Sequence, residues 1–160
     1  MRAHRWGMAL ALLCTVTTGP VMALDPCPGG QAQAAGPEAR FYRDSRGDYR
    51  LRGRIGRSAV TFRLAPEADT VVLGEREAAR LGLRYSRGRI VRHQGAAGVG
   101  LGHAVVLDSV QVGGLVRERV AAVVVTGDGS GEVLLGQSFL RGLRRCRDAG
   151  AIVLRALYHR

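Results

Sequence analysis

The feature that most constrains this chain is a strict alternation that begins at Tyr49. Leu51, Gly53 and Ile55 alternate with Arg50, Arg52 and Arg54; after Gly56-Arg57, Val60, Phe62 and Leu64 alternate with Thr61 and Arg63. A period of two sends successive side chains to opposite faces of a strand, so two such runs around a two-residue turn form a hairpin with one wet face. Glycine supplies 23 of the 160 residues, which suits many tight turns better than long helices. Aromatic residues make up only 5%, so a core must rest on Val, Leu, Ile and Ala. The class expected is mostly β in a single domain, with one or two short helices.

The rest of the chain follows the same grammar. A loop from Ala65 to Asp69 leads into the apolar run Thr70-Val71-Val72-Leu73. Glu75 to Leu81 is expected to be helical, with acids in its first turn and Gly82 as its stop. Further strands are expected over Arg84–His93, His103–Val112 and Leu115–Thr126, the last two joined at Gly113-Gly114. Val133-Leu134-Leu135-Gly136 reads as a buried strand leading into a short helix from Gln137 to Leu143, and Ala151 to Arg155 as a closing strand.

The N-terminus carries an export signal. Arg2 and Arg5 precede an apolar run from Trp6 to Val16, Thr17-Thr18-Gly19-Pro20 breaks it, and Val21-Met22-Ala23 offers small residues for cleavage. Residues 1–23 are read as the signal, 24–45 as a flexible linker rich in Pro, Gly, Gln and Ala, and 46–158 as the domain. The expected location is the periplasm or the exterior. The uncharged stretch reaches Leu24, so anchoring in the inner membrane by an uncleaved segment is the alternative. Cys14 leaves with the signal, and an oxidising compartment would then pair Cys27 with Cys146; two free thiols are the competing reading.

Several chemistries fall away. All 24 basic residues are Arg, scattered along the chain against 13 acids; such scatter fits a solvated surface better than a nucleic-acid face. His93, His103 and His159 show no paired metal-ligand spacing, and no metal or cofactor is expected. Gly129-Ser130-Gly131 and Gly136-Gln137-Ser138 both miss the full nucleophile elbow. The run from Gly95 to Gly102 lacks the Gly-x-Gly-x-x-Gly spacing and precedes a strand rather than a helix, so it is not a dinucleotide cradle.

The order of segments is informative as a set. A strand ends in a loop, Val71-Val72-Leu73 follows, and a helix ends in Ala78-Ala79-Arg80-Leu81-Gly82-Leu83. Val106 to Gly114 is then a strand and turn, and Leu134-Leu135-Gly136 is followed by Phe139-Leu140. Over roughly residues 46–155 this set resembles the retropepsin-like aspartic proteases, most closely their bacterial exported single-domain branch. The resemblance implies a closed β-barrel or sandwich. It also implies a flap at Gly95, Gly98, Gly100 and Gly102, a segment Leu134-Leu135-Gly136 crossing behind the active loop, and a homodimer with Ala151–Arg155 near its two-fold axis.

The departure from that family lies where its Asp-Thr-Gly-Ala motif belongs. Here Leu64 runs into Ala65-Pro66-Glu67-Ala68, so Ala65 takes the place of the catalytic Asp, Pro66 that of Thr and Glu67 that of Gly. An alanine cannot activate water, and proline lacks both the hydroxyl and the amide N–H that would brace paired loops. No confident catalytic residue remains. A rival register takes Asp69-Thr70 as the remnant, at the cost of a four-residue slip and a β-branched Val71 in the glycine position. The expectation is an inactive homologue that binds an extended peptide or another envelope protein as a weak homodimer. The alternative is an endopeptidase that uses Asp69, or Glu67, in a rearranged site.

Overall fold

A computed structural model describes residues 24–27, 36–95, 98–127 and 131–157. The segment 1–23 read as a signal, with Cys14, residues 28–35 of the segment read as a linker, and residues 96–97, 128–130 and 158–160, among them His159, lie outside the described residues. The two elements of the opening hairpin are β2 (Tyr49–Ile55) and β3 (Ser58–Leu64), paired from Arg50↔Arg63 to Ile55↔Ser58. That register leaves Gly56 and Arg57 as a two-residue turn, and Gly56 takes the positive φ of 56° that such a turn favours.

Strand β3 continues through the loop into β4 (Val71–Gly74), which opens directly into α1 (Glu75–Arg80). Two long strands follow β5 (Ile90–Gly95): β6 (Gly98–Val112) and β7 (Leu115–Val125). The short β8 (Val133–Leu135) inserts between β3 and β4, parallel to the first and antiparallel to the second. β4 in turn lies parallel to β7, and β2 pairs with the far half of β6 through Gly53↔Val112 and Ile55↔Val110. The circuit β6-β7-β4-β8-β3-β2 therefore closes on itself as a six-stranded barrel. The fold is mostly β, with two short helices, as the alternation implied.

Hydrophobic burial explains the closure. All three phenylalanines of the chain, Phe41, Phe62 and Phe139, have no exposed surface, and they meet Leu73, Leu107, Val110, Val133 and Leu135 inside. Each such side chain contributes roughly 1.5–3 kcal/mol on removal from water. The inward set Val60, Phe62 and Leu64 is the one that the alternation singled out, and β2 contributes Ile55 from its end.

A second, smaller layer joins the chain ends. β1 (Glu38–Arg43) pairs with β10 (Ala151–Ala156) and, at its far end, with β2; β10 also pairs with β9 (Leu143–Asp148). β1 lies inside the segment read as a flexible linker. Its Ala39 and Phe41 are buried at alternate positions, a two-residue period too brief to stand out beside Pro37 and the polar residues around it. Helix α2 ends at Leu140 rather than Leu143, since Gly142 takes a positive φ of 74° and β9 begins at once. The strand expected over Arg84–His93 starts only at Ile90. Residues 84–89 form an irregular segment, pinned by Tyr85 donating to Glu75 (3.3 Å) and by His103 Nδ1 at 3.2 Å from the Gly88 carbonyl. Tyr85 is raised above the usual phenol range by burial and then by the Glu75 carboxylate.

The β9 edge is partly covered by the chain's own N-terminal residues. Cys27 N–H donates to Arg147 O (2.9 Å), Arg147 N–H donates to Asp25 O (3.0 Å), and a disulfide joins Cys27 to Cys146. Arg50, expected on the wet face, is instead half-buried in an ion network with Asp44 (2.6 Å), Asp48 (3.2 Å) and Glu132 (2.6 Å), which Arg63 shares.

Candidate functional site

The loop that would carry catalysis starts as a continuation of β3. Ala65 N–H donates to Leu135 O (3.1 Å), extending the parallel ladder by one step, and Ala68 N–H then closes a β-turn onto Ala65 O (3.0 Å). Pro66 occupies the first central position of that turn, where its fixed φ is favourable. Position 65 is thus a buried methyl, packed with Ala68 and Val72, while Glu67 and Asp69 are exposed to solvent.

The loop is braced from behind by the start of α2 (Gln137–Leu140). Gln137 N–H donates to Ala68 O (2.8 Å) and its Nε2 to Pro66 O (2.5 Å); Ser138 N–H donates to Asp69 O (3.0 Å). Ser138 Oγ in turn accepts from Val71 N–H (2.9 Å). These bonds satisfy three carbonyls of the loop, those of Pro66, Ala68 and Asp69, without any hydroxyl at position 66. Gly136 makes the approach feasible: a Cβ there would sit 2.1 Å from Thr70 O and 2.6 Å from Ala68 O. Leu134 pairs with Val72, Leu135 O accepts from Ala65 N–H, and Gly136 lies against the Ala68 and Thr70 carbonyls. Gln137 and Ser138, which sequence reasoning missed as loop braces, carry the hydrogen bonds. Their signal was their position directly after the glycine.

In front of the loop stands the β5–β6 hairpin. The glycine run expected as a loose tip is mostly paired strand, with Gly95↔Gly98, His93↔Gly100 and Val91↔Gly102 in register, and only residues 96–97 lie between the strands. Alternation places Gly98, Gly100 and Gly102 on the face shared by Val91 and His93, whereas Ile90, Val99 and Leu101 are more than half exposed on the other face. The glycines are needed for space as well as turning. A Cβ at Gly100 would lie 2.9 Å from His93 Nε2, and one at Gly102 would lie 2.4 Å from Val123 Cγ1.

Hairpin, barrel and loop together line a half-open cavity of about 450 Å³. Its walls are Val91, Arg92 and His93 from the hairpin, Ala104 to Val106 from β6, Ala121 to Val123 from β7, and Asp69 and Thr70 from the loop. Ala65, Pro66, Glu67 and Ala68 are not among the lining residues. Asp69 is the one carboxylate among the described residues that line it. Among the residues that line it, Thr70 Oγ1 and both ring nitrogens of His93 are buried without a hydrogen-bond partner. The site can enclose an apolar, extended ligand beneath the hairpin. One protomer brings a single carboxylate to it, against the two that a shared-proton dyad requires.

Comparison with known proteins agrees with this fold. A crystal structure of a retropepsin-like aspartic protease from Rickettsia conorii superposes with a TM-score of 0.60 at 21% identity, covering 74% of this chain and 90% of that one. No curated protein matches the chain. The family model for the gag-polyprotein putative aspartyl protease matches residues 51–142, which span the barrel, the hairpin and the braced loop. By that match over more than half of its length, the chain belongs to the retropepsin-like aspartic protease family.

Proposed function

We propose that this chain is an exported, non-catalytic member of its family, a domain of the bacterial envelope that holds an extended peptide beneath the β5–β6 hairpin. The observation that carries the reading is Ala65. It stands at the end of β3 with a buried methyl where the family motif places a carboxylate, and its loop is braced into one conformation by Gln137 and Ser138. Peptide binding does not need the missing acid. An apolar cavity beneath a paired hairpin, with β5 as a free sheet edge, supports strand addition to a bound chain.

A second reading rests on one observation: Asp69 is exposed and lines the cavity. A two-fold partner supplying its own Asp69 would give two carboxylates, so an active endopeptidase built on Asp69 is the competing function. Purified protein is expected to cleave no peptide between about pH 3 and pH 7, and Asp69→Ala is expected to change nothing. The triple variant Ala65→Asp, Pro66→Thr, Glu67→Gly should acquire pepstatin-sensitive cleavage. Wild-type cleavage abolished by Asp69→Ala would overturn the non-catalytic reading in favour of its rival.

A further inference from the structure

The register of the β5–β6 hairpin gathers three aliphatic side chains on the face turned away from His93. Val99 and Leu101 lie two residues apart on β6, and Ile90 stands opposite His103, the next position along the same face. Ile90, Val99 and Leu101 are 63%, 61% and 62% exposed. Arg92 is directly opposite Leu101, and with Val99, Gly100 and Leu101 it lines an open hollow of about 400 Å³. At the barrel end of this face the Tyr85 ring and the Gly88 carbonyl lie against His103, so the exposed Arg84 and Arg87 beside them border the patch. From Gly82 to Leu107 the sequence holds four arginines and no acid. Among the described residues none of these four makes an ion pair, whereas Arg40, Arg50, Arg63, Arg80 and Arg155 all do. Glu75 reaches the segment, but it accepts from the Tyr85 hydroxyl rather than from an arginine.

We infer that this face docks on a bilayer surface rich in anionic phospholipid, with Ile90, Val99 and Leu101 entering the headgroup–acyl boundary and Arg84, Arg87 and Arg92 meeting lipid phosphates. The inference goes beyond peptide binding and does not depend on it, because it uses the other face of the hairpin. Apolar side chains flanked by cations of one sign are the combination that holds a protein at an anionic membrane surface. Arginine suits the role: its apolar stem lies along hydrocarbon while the guanidinium forks onto a phosphate. An arginine on an edge strand also deters pairing with another sheet. That accounts for Arg92 alone and leaves three exposed aliphatic side chains without a reason. A specific protein partner is the weaker fit, since protein interfaces centre on aromatic anchors ringed by mixed polar pairs. Here the exposed apolar residues are all aliphatic and the charges around them all positive, which a fluid anionic surface accommodates without shape matching.

The test uses the disulfide-bonded chain without residues 1–23, which keeps every described strand and helix. In vesicle flotation it should partition about tenfold or more better onto an equimolar phosphatidylcholine–phosphatidylglycerol mixture than onto phosphatidylcholine alone, and salt should weaken the binding. Arg92→Gln should lower that partitioning about fivefold, the equivalent of about 1 kcal/mol for one cation at a membrane surface. Leu101→Asn should lower it by at least as much. The double variant Arg144→Gln, Arg145→Gln removes two charges from β9, at the other end of the strand order, and should bind as wild type does. Trp6 is the single tryptophan of the sequence, so in the shortened chain Leu101→Trp supplies a lone reporter. Its emission should move to the blue with the anionic vesicles and be quenched by brominated acyl chains. Val116→Trp, equally exposed beside the Gly113-Gly114 turn, should not respond. Absence of binding to the anionic vesicles overturns the inference, as does binding that the β9 double variant loses equally. Indifference to vesicles with a response of the Leu101→Trp reporter to polyglutamate would assign the face to an acidic protein instead. Each of these outcomes leaves peptide binding in the cavity untouched.

Discussion

At Gly136 the energetic argument is one of space rather than backbone angle, because its φ of −98° is open to any residue. A methyl there would have to displace the carbonyls of Ala68 and Thr70, the same atoms whose positions define the loop. Gly136→Ala is expected to destabilise the fold by about 2 kcal/mol or more, toward the upper part of the range for overpacked sites, measurable by urea denaturation. An unchanged midpoint would show that the loop can move aside. The role of Gly136 was legible in sequence because a glycine closing the apolar run Leu134-Leu135 is a specific signal. The direction of Ala65 was not legible. Nothing in Ala-Pro-Glu-Ala says that the first methyl turns inward while Asp69, four residues on, reaches the cavity. That outcome depends on the turn closed by Ala68 and on Gln137, 71 residues after Pro66, and such a pairing leaves no local periodicity to read.

Among elements, the terminal sheet is where charge matters. Glu38 on β1 is held below the usual carboxylate range chiefly by its hydrogen bond from Arg40, against a burial effect of opposite sign, with Arg155 of β10 helping. Arg40 also reaches Asp148 on β9 at 2.8 Å, so one row of ion pairs spans all three strands. A lowered folded value means that the contribution is fully present above the unfolded carboxylate value of about 4.3 and is lost as pH falls through the lower folded one. Melting temperatures of wild type and Glu38→Gln should therefore differ most near neutral pH and converge below about pH 4; a constant gap down to pH 3 would deny the ion pairs any part in acid sensitivity. The pairs are partly solvated and the neutral-pH gap should be small. The hairpin strands β2 and β3 could be read from sequence because one face of each is wet. β1 and β9 could not, since their short apolar positions become a pattern only once β10 lies between them.

For the whole molecule, the expectation of a homodimer near Ala151–Arg155 meets a terminal sheet that is already paired on both sides of that strand. Among the described residues β10 has a neighbour on each side, so strand addition to this sheet by a second copy would use the β9 edge. Asp25 and Cys27 occupy that edge around Arg147. If copies associate through this sheet, deleting residues 24–27 should raise the dimer fraction in sedimentation velocity at tens of micromolar; an unchanged distribution would place association elsewhere. The same deletion removes a cross-link spanning 119 positions, for which chain entropy sets a ceiling near 5 kcal/mol, so a lower denaturation midpoint should accompany it. The cross-link also changes what a proteolytic cut means. Residues 27 to 146 form a covalent ring that contains the whole barrel and both helices. A protease that severs the backbone once within this ring, at the hairpin tip between Gly95 and Gly98 for example, leaves every atom attached to every other. Such nicked protein should migrate as one band without reductant and as two with it. Under oxidising conditions it would persist as a single particle after damage that would divide an uncrosslinked barrel into separate fragments.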